Sequence, residues 1–560
     1  MMNMRLDHWF RGLRGPVFAA LVAMLAGLPG LLALPPLDRD ESRFAQATVQ
    51  MLETRDFVKI NYQDQPRDKK PVGIHWLQAV SVSLLANVED RQIWAWRVPS
   101  LLGAMLAAAA CAWGAAAFLG PRGGLLAGVF LGASFMLSTE AGIAKTDAVL
   151  CGATTLALAA MARLYLAARG GPPAGRWTKA LFWLGLGLAT LVKGPIGPMM
   201  VLLTGLGLWA WDRKADWVAS LGWAWGLVIF VAIVGPWAVA ITIATDGAFW
   251  GAAIGGDLAP KLAGGHESHG APPGLHFLLS PILTFPFGFI LPAALVAAWK
   301  GRSQPGIRFA LCWLIPTWLV FELMPTKLVH YTLPTYGALA WLAAAACEQV
   351  LGRASRFAGA GLALVSALVF CALSVMAVSR YGAAPNVLPA AVAVAFYMAT
   401  GLVAGVLLLR QAPQAALLAA ACLGMAAHGV LAGLVVPRLQ PLMLSSRTAR
   451  AMKLEGLAPR TGLMPGPVTV AGYAEPSLVF ALGTTTELAD GAAAAKALSE
   501  GRPAIVESRQ QAAFEAAIKQ GQIKARAVGQ INGLNYSNGD QTQLRLYRPL
   551  RAAAGSEPHG

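Results

Sequence analysis

Runs of about 17–25 apolar residues recur along the chain with only short polar gaps between them, and little besides a membrane fits that pattern. A helix needs about 20 consecutive apolar residues to cross a bilayer core. Such runs fall at about 16–34, 97–119, 123–138, 148–168, 178–192, 195–211, 217–244, 276–298, 306–323, 331–349, 357–378, 386–409 and 414–436. Composition agrees, because 56% of the 560 residues are hydrophobic and only 13% are charged, against roughly 25% charged in soluble domains. The spacing predicts an α-helical polytopic membrane protein with about thirteen transmembrane helices.

The net charge of +16 does not point to nucleic acid, since the basic residues form no single stripe or tail. They sit in the gaps: Arg122, Arg176 with Lys179, Arg213 with Lys214, Lys300 with Arg302 and Arg308, Arg353 with Arg356, and Arg410. Cytoplasmic loops carry such an excess. With Arg5, Arg11 and Arg14 ahead of it, the first run reads as a retained helix whose N-terminus is cytoplasmic. In "LVKGPIGP" Pro195 and Pro198 would break what would otherwise be an over-long helix, so this stretch is expected to be a hairpin. All six cysteines lie within apolar runs without metal-type spacing and are expected to be small core residues.

This topology leaves residues 35–96, 245–275 and everything after about 437 on the outer side. The first of these segments holds an amphipathic stretch at 41–54 and a short apolar one at 72–85, both expected to lie along the membrane as juxtamembrane helices. After residue 437 the pattern changes. "GPVTVAGY", "RPAIVES" and "QLRLYRP" read as strands, with "EPSLVFAL" and "RQQAAFEAAIKQG" as helices between them. The expected organisation is a transmembrane domain over 1–437 and a small α/β domain over 438–560.

The unusual charges collect on the outer face: Asp40, Glu41 and Arg43; Lys69 and Lys70; Lys145 and Asp147; Lys193; His266, Glu267 and His269; and Lys327 with His330. Ionisable groups near a bilayer are costly and usually retained for a role. Carboxylates suit general-base work on a hydroxyl, and lysine or arginine suits a phosphate. His75, His266, Glu267 and His269 are candidate contacts for substrate or a divalent metal. Simpler roles stand beside these. Asp38 or Asp40 would serve as the N-cap of a helix starting near Glu41, Lys193 and Lys327 would snorkel to the interface, and the histidines of "GHESHG" would be surface residues.

The ordered set "DRDESRFAQATVQML", "KKPVGIHWLQA", "IAKTDAVL", "LVKGPIG", "GGHESHGAPPGLHFLL" and "TKLVHYTLPTYGALA" resembles the motifs of bacterial family-39-type membrane glycosyltransferases. That family includes the lipid A aminoarabinose transferases and, more distantly, the protein O-mannosyltransferases. The resemblance covers about residues 16–340 and implies the C-type membrane fold. It implies a sugar donor carried on a polyprenyl phosphate, an acceptor that is a lipid A-like glycolipid, a glycan or a protein, and an inner-membrane enzyme with its C-terminal domain in the periplasm. The motifs place the catalytic carboxylates at Asp40, Glu41 and Asp147, and the donor-phosphate contacts at Arg43, Lys70, Lys327 and Tyr331. Relatives commonly carry Glu-Lys-Pro where this chain has Lys69-Lys70-Pro71, which leaves metal use open. No Gly-rich phosphate cradle is visible, as suits a lipid-borne donor. A transporter or lipid flippase is the alternative. It would call for internal repeats and paired broken helices, whereas the polar residues here gather at one face.

Overall fold

A computed structural model describes residue 10 and residues 12–260, 270–460 and 462–550. Arg5, Arg11, His266, Glu267 and His269 lie outside the described residues.

The first apolar run forms helix α1 (Arg14–Ala33), after which Pro35 and Pro36 carry the chain out. Helix α2 (Asp40–Thr54) and helix α3 (Gly73–Leu85) are the two juxtamembrane elements, joined through a small hairpin of β1 (Asn61–Tyr62) and β2 (Gln65–Pro66). Neither Asp38 nor Asp40 caps α2. Asp40 is its first residue, and the preceding Arg39 makes no side-chain cap bond. Asp40 and Glu41 instead occupy the first turn, where the helix dipole favours negative charge.

Helix α4 (Ile93–Gly132) is nominally 40 residues long, about 60 Å if straight, twice a bilayer core. It breaks at Gly120, whose φ of 73° and ψ of 177° are not helical. The halves fold back on each other along small residues. A Cβ on Gly124 would meet Ala112 and Ala116, and one on Gly128 would meet Ala108 and Ala112. Glycine and alanine at such seams let membrane helices approach closely. The second half stops at Gly132, short of the expected 138, and a separate short helix α5 (Phe135–Ala141) follows.

Helix α6 (Asp147–Ala167) is buried almost throughout, at the centre of the bundle. Helix α7 (Arg176–Lys193) ends at Gly194 in a positive-φ conformation, and the chain resumes as a helix over Ile196–Asp212, so the interruption expected at "LVKGPIGP" is present. By length and composition, eight helices among the described residues can cross a membrane, or nine if the bent pair Leu275–Leu283 and Gly288–Gly301 is one span. That pair turns by 119° where a single span over 276–298 was expected. The expected count of thirteen is higher for three reasons. It splits α4, it counts the shorter Ile196–Asp212 and Leu333–Cys347 helices, and it includes α7. Five of the six cysteines are buried as expected, but Cys422 is exposed on its helix.

Beyond residue 440 a helix (Leu444–Leu454) leads into a five-stranded sheet of β3 (Thr469–Ala471), β4 (Glu487–Ala489), β5 (Ala504–Glu507), β6 (Ala525–Asn535) and β7 (Asp540–Pro549). The order is β4-β3-β5-β7-β6. Strand β3 runs parallel to β4 and β5, while β7 runs antiparallel to β5 and β6. Strands β4 and β6 were not legible in the sequence. Helix Pro476–Leu482 of this unit packs on α2. This explains why polar Gln46 and Gln50 of α2 are as buried as its apolar residues: α2 lies between the membrane bundle and the sheet unit.

Candidate active site

Two neighbouring carboxylates on α2 have opposite environments. Glu41 is 1% exposed. Its two oxygens receive a bidentate pair from Arg97 of α4, Nε to Oε1 and Nη2 to Oε2, each at 2.8 Å. The Ala144 N–H (2.7 Å) and the Leu37 N–H (2.8 Å) complete the set. Bidentate arginine–carboxylate pairing is among the strongest side-chain contacts, and removing one partner of a buried pair costs about 3–5 kcal/mol. Glu41 therefore ties the exit loop to the bundle and has no free oxygen for chemistry, which corrects its expected catalytic role.

Asp40, one residue earlier, points away from that lock. Its side chain is 50% exposed, with Arg67 4.0 Å away. It accepts no hydrogen bond among the described residues. Burial alone would raise its pKa, but Lys70, Arg67 and Lys145 outweigh that and hold the carboxyl below the ordinary carboxylate range. The group is ionised at neutral pH and accessible.

The cations around it come from three separate parts of the chain. Lys70 arrives from the β2–α3 loop and lies 5.0 Å from the centre of the Phe44 ring, with Arg67 on the same ring at 4.8 Å. Burial pushes the Lys70 ammonium down to about 8; Asp40 opposes that shift and Lys193 adds to it. Lys145 sits on the α5–α6 loop, which is pinned by the Ser100 hydroxyl on the Ile143 carbonyl (2.7 Å) and by the Gln78 amide on the Ala144 carbonyl (3.2 Å). Its ammonium is 3.0 Å from Glu140 and 3.5 Å from Asp147. Lys193, the last residue of α7, donates to Asp147 Oδ1 at 2.5 Å. It also lies 5.5 Å from the centre of the Tyr331 ring.

His330 closes the group, with Nε2 3.7 Å from Asp147 and Nδ1 3.9 Å from Glu140. Burial drives its pKa down to about 3, leaving a neutral imidazole. Asp147 is thus held among Lys193, Lys145 and His330. Glu140 was missed in the sequence, although "TEAGIAKTDAVL" contains it. Its Oε2 is buried with no hydrogen-bond partner, and burial raises its pKa to about 7. The signal available was an unexplained carboxylate two residues from a Gly on an otherwise apolar helix.

The remaining candidates fall elsewhere. His75 is 1% exposed between α2 and α3, 2.9 Å from the Thr48 hydroxyl, and burial lowers its pKa to about 3. It is a neutral imidazole packed between the two helices. Lys327 is 6% exposed and donates to the Met324 carbonyl at 2.6 Å, so a main-chain acceptor already engages its ammonium. Arg43 is partly buried and shares a neighbourhood with Arg67 around Tyr62. Among the described residues no three of His, Cys, Asp or Glu gather as metal ligands would.

A bundle with two juxtamembrane helices, a charged cluster at the exit of the first span and an appended sheet unit agrees with the C-type fold that the sequence resemblance implied. The chain superposes on the crystal structure of ArnT from Cupriavidus metallidurans bound to undecaprenyl phosphate with a TM-score of 0.76 and 19% identity, over 96% of this chain and 98% of that one. The apo state of the same protein gives 0.72. In sequence, the chain is similar to the undecaprenyl phosphate-alpha-4-amino-4-deoxy-L-arabinose arabinosyl transferase of Pseudomonas paraeruginosa, at 28% identity over 364 residues, 62% of this chain and 63% of the relative. The protein of the same name from Aeromonas salmonicida is 27% identical over 331 residues, 57% of this chain and 59% of that one. The matched region therefore spans somewhat under two thirds of these relatives' length. No protein-family model matches the chain.

Proposed function

We propose that this multi-pass membrane protein is an inverting glycosyltransferase that moves a sugar from a polyprenyl-phosphate donor to an acceptor hydroxyl or phosphate. The observation that carries the reading is Asp40: an accessible carboxylate, kept ionised, at the membrane exit and beside Arg67, Lys70 and Lys145. An acceptor hydroxyl would approach the anomeric carbon from the Asp40 side and give up its proton to the carboxylate. The bond to the lipid phosphate would break on the opposite face. Lys70, Lys193 and Arg43 supply positive charge for the departing phosphate, where negative charge builds in the transition state. A phosphate acceptor has no proton to lose, and the same cations would then orient it. Asp147 and Glu140 balance the ammonium groups and hold them in place.

The relatives' names point to undecaprenyl-phosphate aminoarabinose as the donor, and the acceptor we infer is a lipid A-like glycolipid. The site would then lie at the outer face of a bacterial inner membrane, with residues 438–560 forming a periplasmic domain beside the 1–437 transmembrane domain. The steps above use side chains alone, and a divalent metal would be an addition to them.

The test is transfer by the purified full chain, with undecaprenyl-phosphate aminoarabinose as donor and lipid A as acceptor. Wild type should form product that Asp40→Asn, at equal protein level, does not form at a comparable rate. Activity of Asp40→Asn within a few-fold of wild type would remove Asp40 as the base and leave the proposal without its support.

A further inference from the structure

The Asp40 carboxylate accepts no hydrogen bond from a described residue, so its aim depends on the backbone that carries it. That backbone is held from two sides. On the bundle side, Glu41 receives the Leu37 N–H at 2.8 Å, and the Ser42 hydroxyl donates to the Leu37 carbonyl at 2.5 Å. On the other side the contacts come from residues more than 400 positions away. The Tyr536 hydroxyl accepts the Asp38 N–H at 2.7 Å. The Ser477 hydroxyl donates to the Asp38 carboxylate, and the Ser477 N–H does so at 3.3 Å. Arg39 Nη2 donates to the Ser537 carbonyl at 2.7 Å.

These contacts bracket an unusual residue. Arg39 has φ 61° and ψ −106°, outside the regions that non-glycine residues favour. Such conformations persist only where the surroundings over-determine them, and they concentrate at functional sites. The clamp is itself braced. Glu475 receives the Asn535 amide (2.8 Å) and the Ser537 hydroxyl (3.2 Å), which fixes the β6–β7 turn, and the Ser477 hydroxyl, whose proton goes to Asp38, accepts from the Ser445 hydroxyl at 2.5 Å.

We infer that the C-terminal sheet unit supplies positioning residues for the reaction, Tyr536 and Ser477, which hold the Asp38–Arg39 backbone so that Asp40 faces the acceptor. This rests on Asp40 being the base. The hydroxyls touch no substrate and act only through the loop.

The experiment uses the full chain with Tyr536→Phe and Ser477→Ala, alone and together, in the wild-type and Asp40→Asn backgrounds, with undecaprenyl-phosphate aminoarabinose and lipid A as probes. Loss of one hydrogen bond is worth roughly fivefold, so the double variant should lose about tenfold or more in kcat with donor KM changed by less than about twofold. In the Asp40→Asn background the same changes should cost nothing further, because the group being aimed is gone. Deuterium exchange over residues 35–44 should accelerate about tenfold without a shift in Tm. Unchanged kcat, a loss confined to KM, equal losses in both backgrounds, or unaltered exchange would each overturn the inference. Asp40→Asn by itself reports on the base, so failure of that assignment is read separately from failure of the clamp.

Discussion

Two buried ionic clusters occupy opposite ends of α6, and they differ in what they leave unsatisfied. Past its C-terminal end, Asp212 receives the Tyr165 hydroxyl at 2.8 Å and also Arg169 and Arg308, so both of its oxygens are engaged. Arg169 covers the Tyr165 ring at 3.7 Å, and Arg308 also donates to the Ser303 carbonyl at 3.0 Å. At the N-terminal end, about 31 Å away along a helix of 21 residues, Asp40 is half exposed and Glu140 keeps an unpartnered oxygen. There burial lowers the Lys70 pKa to about 8, and Lys193 adds to the shift. In the first cluster the carboxylate is saturated and, among the described residues, only a donor, Arg308 Nε, lacks a partner, so it offers no acceptor. The second keeps charge and acceptor capacity in reserve, as the proposed transfer site would require. A cluster of charges in a membrane bundle is therefore informative about chemistry only when its pairing is incomplete.

The widest contrast comes from isosteric changes in the two clusters. Asp40→Asn should lose at least about a hundredfold in transfer rate, the usual worth of a positioned general base, with an unchanged melting temperature in detergent. Asp212→Asn should do the reverse. It would keep activity per folded molecule within about threefold but lose about 2–3 kcal/mol of stability, since charge-assisted hydrogen bonds are weakened. A large activity loss in Asp212→Asn with intact folding would break the comparison.

The next effect is on pH. Lys70, lowered to about 8 by burial, carries its charge below that pH and loses it above. Donor KM should therefore rise as pH increases through about 8 and level off about tenfold higher, the loss of one charge-assisted contact. Lys70→Arg stays charged through that range and should flatten the rise. A KM profile of Lys70→Arg identical to wild type between pH 7 and 10 would mean that Lys70 does not meet the donor phosphate.

A smaller difference separates two lysines of similar sequence appeal. Lys70→Ala should raise donor KM by about tenfold, the loss of one charge-assisted contact. Lys327→Ala should raise it by less than about threefold, because the Met324 carbonyl already holds its ammonium. Equal effects, measured under the same conditions, would place Lys327 at the phosphate after all.

Much of this molecule was readable from local pattern. The apolar runs located the helices, and the juxtamembrane pair appeared at Asp40–Thr54 and Gly73–Leu85, within a residue or two of the expected 41–54 and 72–85. The break at Gly194 followed from the excessive length of one continuous helix and from Pro195 and Pro198. Less of the site was readable. Asp40 and Glu41 look equivalent in "DRDES", yet Arg97, 56 positions later, claims one and leaves the other. Glu140 and His330 were not recognised as neighbours of Asp147, nor was it legible that His75 meets Thr48 and Lys327 the Met324 carbonyl.

The sequence by itself determined that the chain is helical and membrane-spanning, that a group of its charges gathers after the first apolar run, and that an α/β unit follows the last one. These are consequences of residue periodicity and of the cost of placing charge in hydrocarbon, both of which act over a few turns of chain. The tertiary structure decided which of the charges face one another, which carboxylate stays free, and that Tyr536 and Ser477 reach back to the loop before Asp40. Those outcomes depend on helix packing and on contacts between residues more than 400 positions apart, which no local pattern encodes.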